Sequence, residues 1–165
     1  MANSGSAAAR KLVEFLGSKE SGLGPVVDQI ALESGVMLTA IVPDSIASQN
    51  VAAEIAERSQ AVKYPVVHVY VDRVRNLLTE KFRTLSGKIR TVAEVRVSQD
   101  RIEGIEEQLR LYVDAVTQVL DSRRGSWGEG MFFNGGYEVD FEPVRRGGRN
   151  LIQTARVVFE VDLSK

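Results

Sequence analysis

Tyr137–Leu163 reads YEVDFEPVRRGGRNLIQTARVVFEVDL, two alternating runs on either side of a Gly-Gly pair. Period-two alternation of apolar and polar residues marks a strand with one buried face. In the second run Leu151, Ala155, Val157, Phe159, Val161 and Leu163 share a face that only Gln153 interrupts. Thr154, Arg156, Glu160 and Asp162 share the other. In the first run Tyr137, Val139 and Phe141 oppose Glu138, Asp140 and Glu142. Gly147 and Gly148 take positive φ at little cost, which gives the reversal a mechanism. The stretch predicts a long antiparallel hairpin closing the domain. Arg145, Arg146 and Arg149 make its tip cationic.

Just upstream, Gly125–Gly136 (GSWGEGMFFNGG) predicts a glycine-rich loop carrying Trp127, Phe132 and Phe133. It lacks a GK[ST] ending and is followed by a strand, so it is not a phosphate loop. Two readings stay open: aromatics tucked into the edge of the core, or an exposed contact loop. Before it, Ile102, Ile105, Leu109, Tyr112, Val116 and Val119 form a helical stripe. Asp100 with Glu103 makes a capping-box-like start, Arg123 and Arg124 complement the helix end, and Gly125 is a natural stop. A helix of about 22 residues spans roughly 33 Å, enough to cover a four-stranded sheet.

Further upstream, Ile89–Val97 alternates, with Arg90, Glu94 and Arg96 on one charged face. Pro65–Asp72 (PVVHVYVD) is β-branched and aromatic on both faces, the pattern of a central strand. It holds His68, the only histidine. With no metal set or triad around it, His68 is read as a packing residue. Val74–Arg83 stays open between strand, loop and short helix.

The N-terminal third predicts helices. Residues 1–6 are small and expected to fray. Leu12, Val13, Phe15 and Leu16 give the next segment an apolar face, for its own domain or for a partner. A second helix runs roughly from Pro25, suited to a first helical position, to Ser34, and Gly35 ends it. Val36–Val42 stays open between strand and coil. Asn50–Arg58 is alanine-rich and reads as a third helix, with Ser48 or Asn50 as its cap. The order predicts an α+β fold: a mostly antiparallel four-stranded sheet (ββαββ core), the long helix on one face, and added N-terminal helices. One domain is expected over 1–165, with 1–64 helical and 65–165 forming the core.

The chain of 165 residues is 44% hydrophobic and 26% charged, enough apolar material for a sizeable core. Its net charge of -1 gives no global drive toward nucleic acid or anionic membranes. Zero cysteines exclude disulfides and thiolate chemistry. No apolar run approaches the roughly 20 residues of a membrane span. The start lacks the basic-then-apolar pattern of a signal peptide, so a soluble, intracellular chain is expected. HExxH, EF-hand and Walker patterns are missing, and no nucleophile–His–acid set is visible. No catalytic residue, metal or cofactor is therefore assigned, and a non-enzymatic role is expected. The Glu138, Asp140, Glu142 ladder reads as a solvated or subunit-facing surface rather than a glycosidase pair. The arginine tip reads as a contact for phosphate or as solvated, salt-bridged charge.

Three segments together carry a family resemblance: PVVHVYVD, KIRTVAEVRVSQDRIEGIEEQLRLYVDAVTQVL, and GGYEVDFEPVRRGGRNLIQTARVVFEVDL. Over about residues 64–163 the chain resembles the tail terminator (tail completion) proteins of long-tailed bacteriophages. The pattern is a charged strand, a helix of LxxYVDAVxxVL character, an aromatic loop, and a hairpin ending in xARVxFEV. The resemblance implies a virion protein, assembled in the host cytoplasm and placed at the head-proximal end of the tail. It implies a homohexameric ring on the last ring of tail tube protein, stopping tube polymerisation. It implies a surface for neck (connector) proteins in head–tail joining and, in contractile tails, for the terminal sheath ring. DNA would pass through the ring without specific binding, and no membrane is involved. The family brings no catalytic residues. A neck or head-completion protein of the same kind of virion is the nearest alternative, and a small α+β ligand-binding domain or enzyme a distant one. The subunit-contact candidates are Trp127, Phe132, Phe133, Glu138, Asp140, Glu142, Arg145, Arg146 and Arg149.

Overall fold

The longest apolar alternations of the sequence become the two longest strands, and they pair with each other. The computed structural model describes residues 4–56 and 62–165. β3 (Ser86–Gln99) and β8 (Asn150–Ser164) run antiparallel in unbroken register from Ser86↔Ser164 to Gln99↔Leu151. β2 (Val66–Asn76) lies antiparallel on the other side of β3, with a bulge at Asp72. β1 (Ile46–Ser48) adds to β2 in parallel. The far edge of β8 is covered in tandem by three short strands. These are β7 (Arg145–Gly147) at its start, β6 (Glu138–Phe141) in its middle and β5 (Met131–Phe133) at its end, with β4 (Gly125–Gly128) paired outside β5.

The fold is α+β, and its sheet is larger than the expected four strands: eight described strands, mixed because of β1. The ββαββ order survives as β2, β3, the long helix, β6/β7 and β8. The closing hairpin is present, and it turns at Gly148 and Arg149 because Gly147 already pairs with Asn150. Gly148 takes φ +65°, the left-handed value such a turn requires.

Helices close one face. α1 (Ser4–Leu16) buries Ala7, Ala8, Ala9, Leu12 and Leu16 against β1, β2 and β3, so its apolar face docks on its own sheet. Helix begins at Ser4, where fraying was expected; residues 1–3 lie outside the described residues. α2 (Leu23–Ser34) starts two residues before Pro25 and ends at left-handed Gly35 as expected, and it packs on the long helix. Val36–Val42 is irregular, held to the long helix where the Tyr112 hydroxyl donates to Thr39 O at 2.9 Å. α3 (Ala53–Ala56) falls within the alanine-rich stretch and starts too late for Ser48 or Asn50 to cap it; the expectation for 57–58 lies outside the described residues. The part expected to be helical, 1–64, thus also supplies a strand, β1.

The long helix, α4 (Ile105–Asp121), has 17 residues rather than about 22. Asp100 and Glu103 do not cap it. The chain turns through left-handed Gly104, and Ile102 is left exposed. Ile105, Leu109, Tyr112, Val113, Val116, Val119 and Leu120 are buried, the stripe the periodicity predicts. The helix stops at Ser122, and Gly125 already belongs to β4. Arg123 leaves the helix axis and lies over the Phe15 ring, 4.6 Å from its centroid. No described helix is long and apolar enough to cross a membrane.

Candidate functional site

Residues paired across strands share a sheet face. Val67, Val69, Ile89, Ala93, Val95, Val157, Phe159 and Val161 therefore face the helices and form the main core. The opposite face carries Tyr70, Arg73 and Arg75 on β2; Lys88, Arg90, Glu94 and Arg96 on β3; and Arg156, Glu160 and Asp162 on β8. Beneath these long side chains, Val92, Ile152 and Val158 are buried but stand apart from the main core.

At one end this face closes over itself. Residues 50–52 border a polar cavity of about 390 Å³ lined also by Tyr70, Glu94, Arg96, Glu142, Arg145 and Arg156. Glu94 and Arg96 are each 4% exposed in the side chain and form a very close ion pair. Arg96 Nη2 also donates to Val51 O at 2.6 Å. Arg156 bridges Glu94 at 2.8 Å and Glu142 at 2.5 Å. Burial works to lower the Arg156 pKa, but Glu94 and Glu142 outweigh it and hold the guanidinium firmly protonated. Burial pushes the Tyr70 hydroxyl up, with the negative charge of Glu94 beside it. Breaking such a buried pair by removing one partner costs about 3–5 kcal/mol, because the other charge stays buried. The cluster therefore fixes the face rather than leaving it labile.

At the other end the face is open and laddered. Arg75 and Lys88 reach Glu160, at 3.1 and 3.5 Å, and Lys88 reaches Asp162 at 3.0 Å. The Asp162 hydrogen bond raises the Lys88 pKa, so it stays charged. Arg90 pairs with Asp72 in the bulge at 3.6 Å. Beyond this ladder, β2 and β3 end in a loop whose Leu77, Leu78 and Phe82 are exposed.

The structure divides the sequence candidates. Trp127 and Phe133 are buried in an aromatic cluster with Phe15 and Phe159, centroids 5.1 to 5.9 Å apart, and Trp127 Nε1 donates to Arg123 O at 2.8 Å. The supposed loop is a short hairpin, β4–β5, and these two side chains serve the core. Phe132, between them in register with Asp162, is half exposed. Glu142 and Arg145 come together at the polar cavity, and Glu142 is spent on Arg156 within the chain. Glu138 and Asp140 are exposed on β6 opposite Val158 and Arg156, and neither forms an ion pair among the described residues. Arg146 falls opposite Leu151 on the helix-side register, and Arg149 lies in the turn; both are exposed.

Sequence reasoning missed the burial of Glu94 and Arg96 and the exposed Leu77–Phe82 loop. The first has no local signal, since the strand pattern marks only a charged face. The second had one: apolar residues in a stretch that matched neither helix nor strand period. Among the described residues no group of three metal-ligating side chains clusters. No family model matches the chain, and no curated protein matches it.

Proposed function

We propose that this chain is a structural virion protein of the tail-terminator kind. It caps the phage tail tube as a ring, ends tube polymerisation and offers a surface to the neck proteins. The observation that carries the reading is the β6–β7 edge. It presents Glu138 and Asp140 on β6 and, farther along at β7 and its turn, the exposed Arg146 and Arg149, none of them with an ion pair among the described residues. An edge bearing unsatisfied charge of both signs suits a neighbour that offers the complement, and a heterologous contact of that kind generates a ring when its rotation closes. The resemblance over 64–163 supports the same reading, because those residues build the sheet from β2 onward, α4 and the closing hairpin.

The test is native mass by light scattering, alone and after mixing with the tube protein of the same virion. A closed ring of six that stops tubes at fixed length is the expected result. A strict monomer that leaves tube growth unchanged rejects the reading. Rings that bind portal or adaptor but ignore tubes would instead make the chain a neck protein.

A further inference from the structure

Half of β2 has an uncovered side. β1 pairs with it only at Val67, His68 and Val69, so residues 70–76 pair with β3 alone among the described residues. An uncovered strand edge offers its outward backbone N–H and C=O groups to another strand. A groove of about 400 Å³ lies along this one, bordered by Tyr70, Val71 and Val74 and by Gly5 and Ser6 of α1. The opposite margin of the sheet is uncovered at β6, which pairs with β8 alone among the described residues.

The two margins complement each other on both faces. On β2, Arg73 and Arg75 stand on the open face, and Val71 and Val74 on the helix side. On β6, Glu138 and Asp140 stand on the open face, and Val139 and Phe141 on the helix side. Arg73, Glu138 and Asp140 are exposed and have no ion pair among the described residues. Arg75 holds Glu160 at 3.1 Å and keeps further donors, because a guanidinium carries about five N–H groups. Val74 and Phe141 are 37% and 44% exposed. Arg73 and Glu138 border one open cavity yet form no ion pair, because β3 and β8 hold their strands about 14 Å apart.

Direction and register fit as well. β2, β3, β8 and β6 alternate in direction, so β6 runs opposite to β2. A neighbour rotated about an axis along the strands brings its β6 antiparallel to β2 and continues the same face. Through the ladder Asp140 is level with Arg156, Glu94 and His68, where β1 already fills the margin. A stagger equal to the step from Arg156 to Glu160 on β8, about 13 Å, clears β1. It sets Asp140 opposite Arg73, Glu138 opposite Arg75 and Val139 opposite Val74, and brings Phe141 to Val71 beside the bulge. The stagger is an even number of residues, so every side chain keeps its face. Staggered strands tilt as a sheet closes on itself, which suits a ring.

We infer that β6 of one subunit adds antiparallel to the uncovered half of β2 in a second copy of this chain, closing Asp140 on Arg73 and Glu138 on Arg75. Opposite charges directly across strands stabilise the pair and like charges destabilise it. The charges therefore favour β6 on β2 over either strand on its own kind. The contact is head-to-tail, and it rests on the ring reading, of which it names the closing junction.

The test reverses the charges. Arg73→Glu and Asp140→Arg are each expected to lower self-association by about tenfold or more, alone and on tubes, at an unchanged melting temperature. The chain carrying both changes recovers native association, because the pair is restored with its sign reversed. A second readout uses the absence of cysteine. Chains bearing Arg75→Cys are mixed with chains bearing Glu138→Cys and oxidised mildly, with Glu14→Cys on the exposed side of α1 as the control partner. Directly opposed strand residues lie within disulfide reach, so a heterodimer in clear excess over the control is expected. Where a reversal lowers the melting temperature, this coupling decides. Single reversals that associate like the native chain, a double reversal that fails to recover, or coupling no better than the control overturns the inference and leaves the proposed function standing. A native chain that stays monomeric alone and on tubes removes the ring reading and this junction with it.

Discussion

Trp127 touches Phe15, Phe133 and Phe159 at centroid distances of 5.1, 5.7 and 5.9 Å, so truncating it opens a void that three rings cannot refill. Trp127→Ala and Phe133→Ala are each expected to cost about 3–5 kcal/mol. Phe132→Ala, one residue away but pointing to the half-exposed face, should stay within about 0.5 kcal/mol. Urea unfolding midpoints decide this, and an unchanged midpoint for Trp127→Ala would refute the packing account. His68 makes a second test. It is buried, Gln49 Nε2 lies 3.2 Å from its Nε2, and Glu94 is its register partner on β3. Burial lowers its pKa below 6.5, Arg96 lowers it further, and Glu94 pulls the other way. The folded chain thus refuses a proton that the unfolded chain accepts. The stability this confers is present above the unfolded value and is lost as pH falls below it. Between about pH 7.5 and about pH 5.5 the native chain should lose more stability than His68→Gln. Parallel losses in the two proteins would show that His68 is not the group responsible.

Among the elements, the β2–β3 arm depends on one close approach. A Cβ on Gly87 would meet the Arg75 carbonyl oxygen at 1.9 Å, and no side-chain motion relieves a clash with backbone. Gly87→Ala is expected to separate the strands at the loop and cost more than about 2 kcal/mol, against about 0.5 kcal/mol for an ordinary surface change. Amide exchange should localise the damage to Val74–Lys88, and protection unchanged there would contradict the argument. The long elements were legible because each has many repeats of its own period: β8 alternates over Leu151–Leu163 and α4 keeps its stripe from Ile105 to Leu120. The short ones were not. β4, β5 and β7 have three or four residues each, too few to alternate; β5 and β7 form because β8 offers a free edge, and β4 then pairs outside β5. The helix start was misplaced because Asp100 and Glu103 satisfy a local rule that the turn at Gly104 overrides. The buried Glu94–Arg96 pair was out of reach for a different reason. Its cover comes from residues 50–52, more than forty positions earlier in the chain, and no window of strand sequence records that.

For the whole molecule, charge distribution bears on what a ring of such subunits would do to DNA in its bore. The chain carries 21 basic and 22 acidic side chains. Many of the arginines and lysines of the open face are already engaged: Arg75, Lys88, Arg90, Arg96 and Arg156 all pair with carboxylates. Binding to duplex DNA draws its non-specific affinity from cations that displace counterions from phosphates. A cation held by a carboxylate within the protein must give up that partner first, which offsets the gain. On this face and its β7 edge the exposed Arg73, Arg146 and Arg149 remain without an ion pair among the described residues, too few for a strong counterion-release slope. The chain is therefore expected to leave duplex DNA unshifted at about 150 mM salt and micromolar protein, with any binding at low salt lost steeply on adding salt. Arg73→Ala with Arg146→Ala and Arg149→Ala should lower that residual binding while the unfolding midpoint holds. Micromolar binding that survives about 150 mM salt would mean that the pairs on the sheet face open to phosphate, and a bore that lets DNA slide freely would have to be given up.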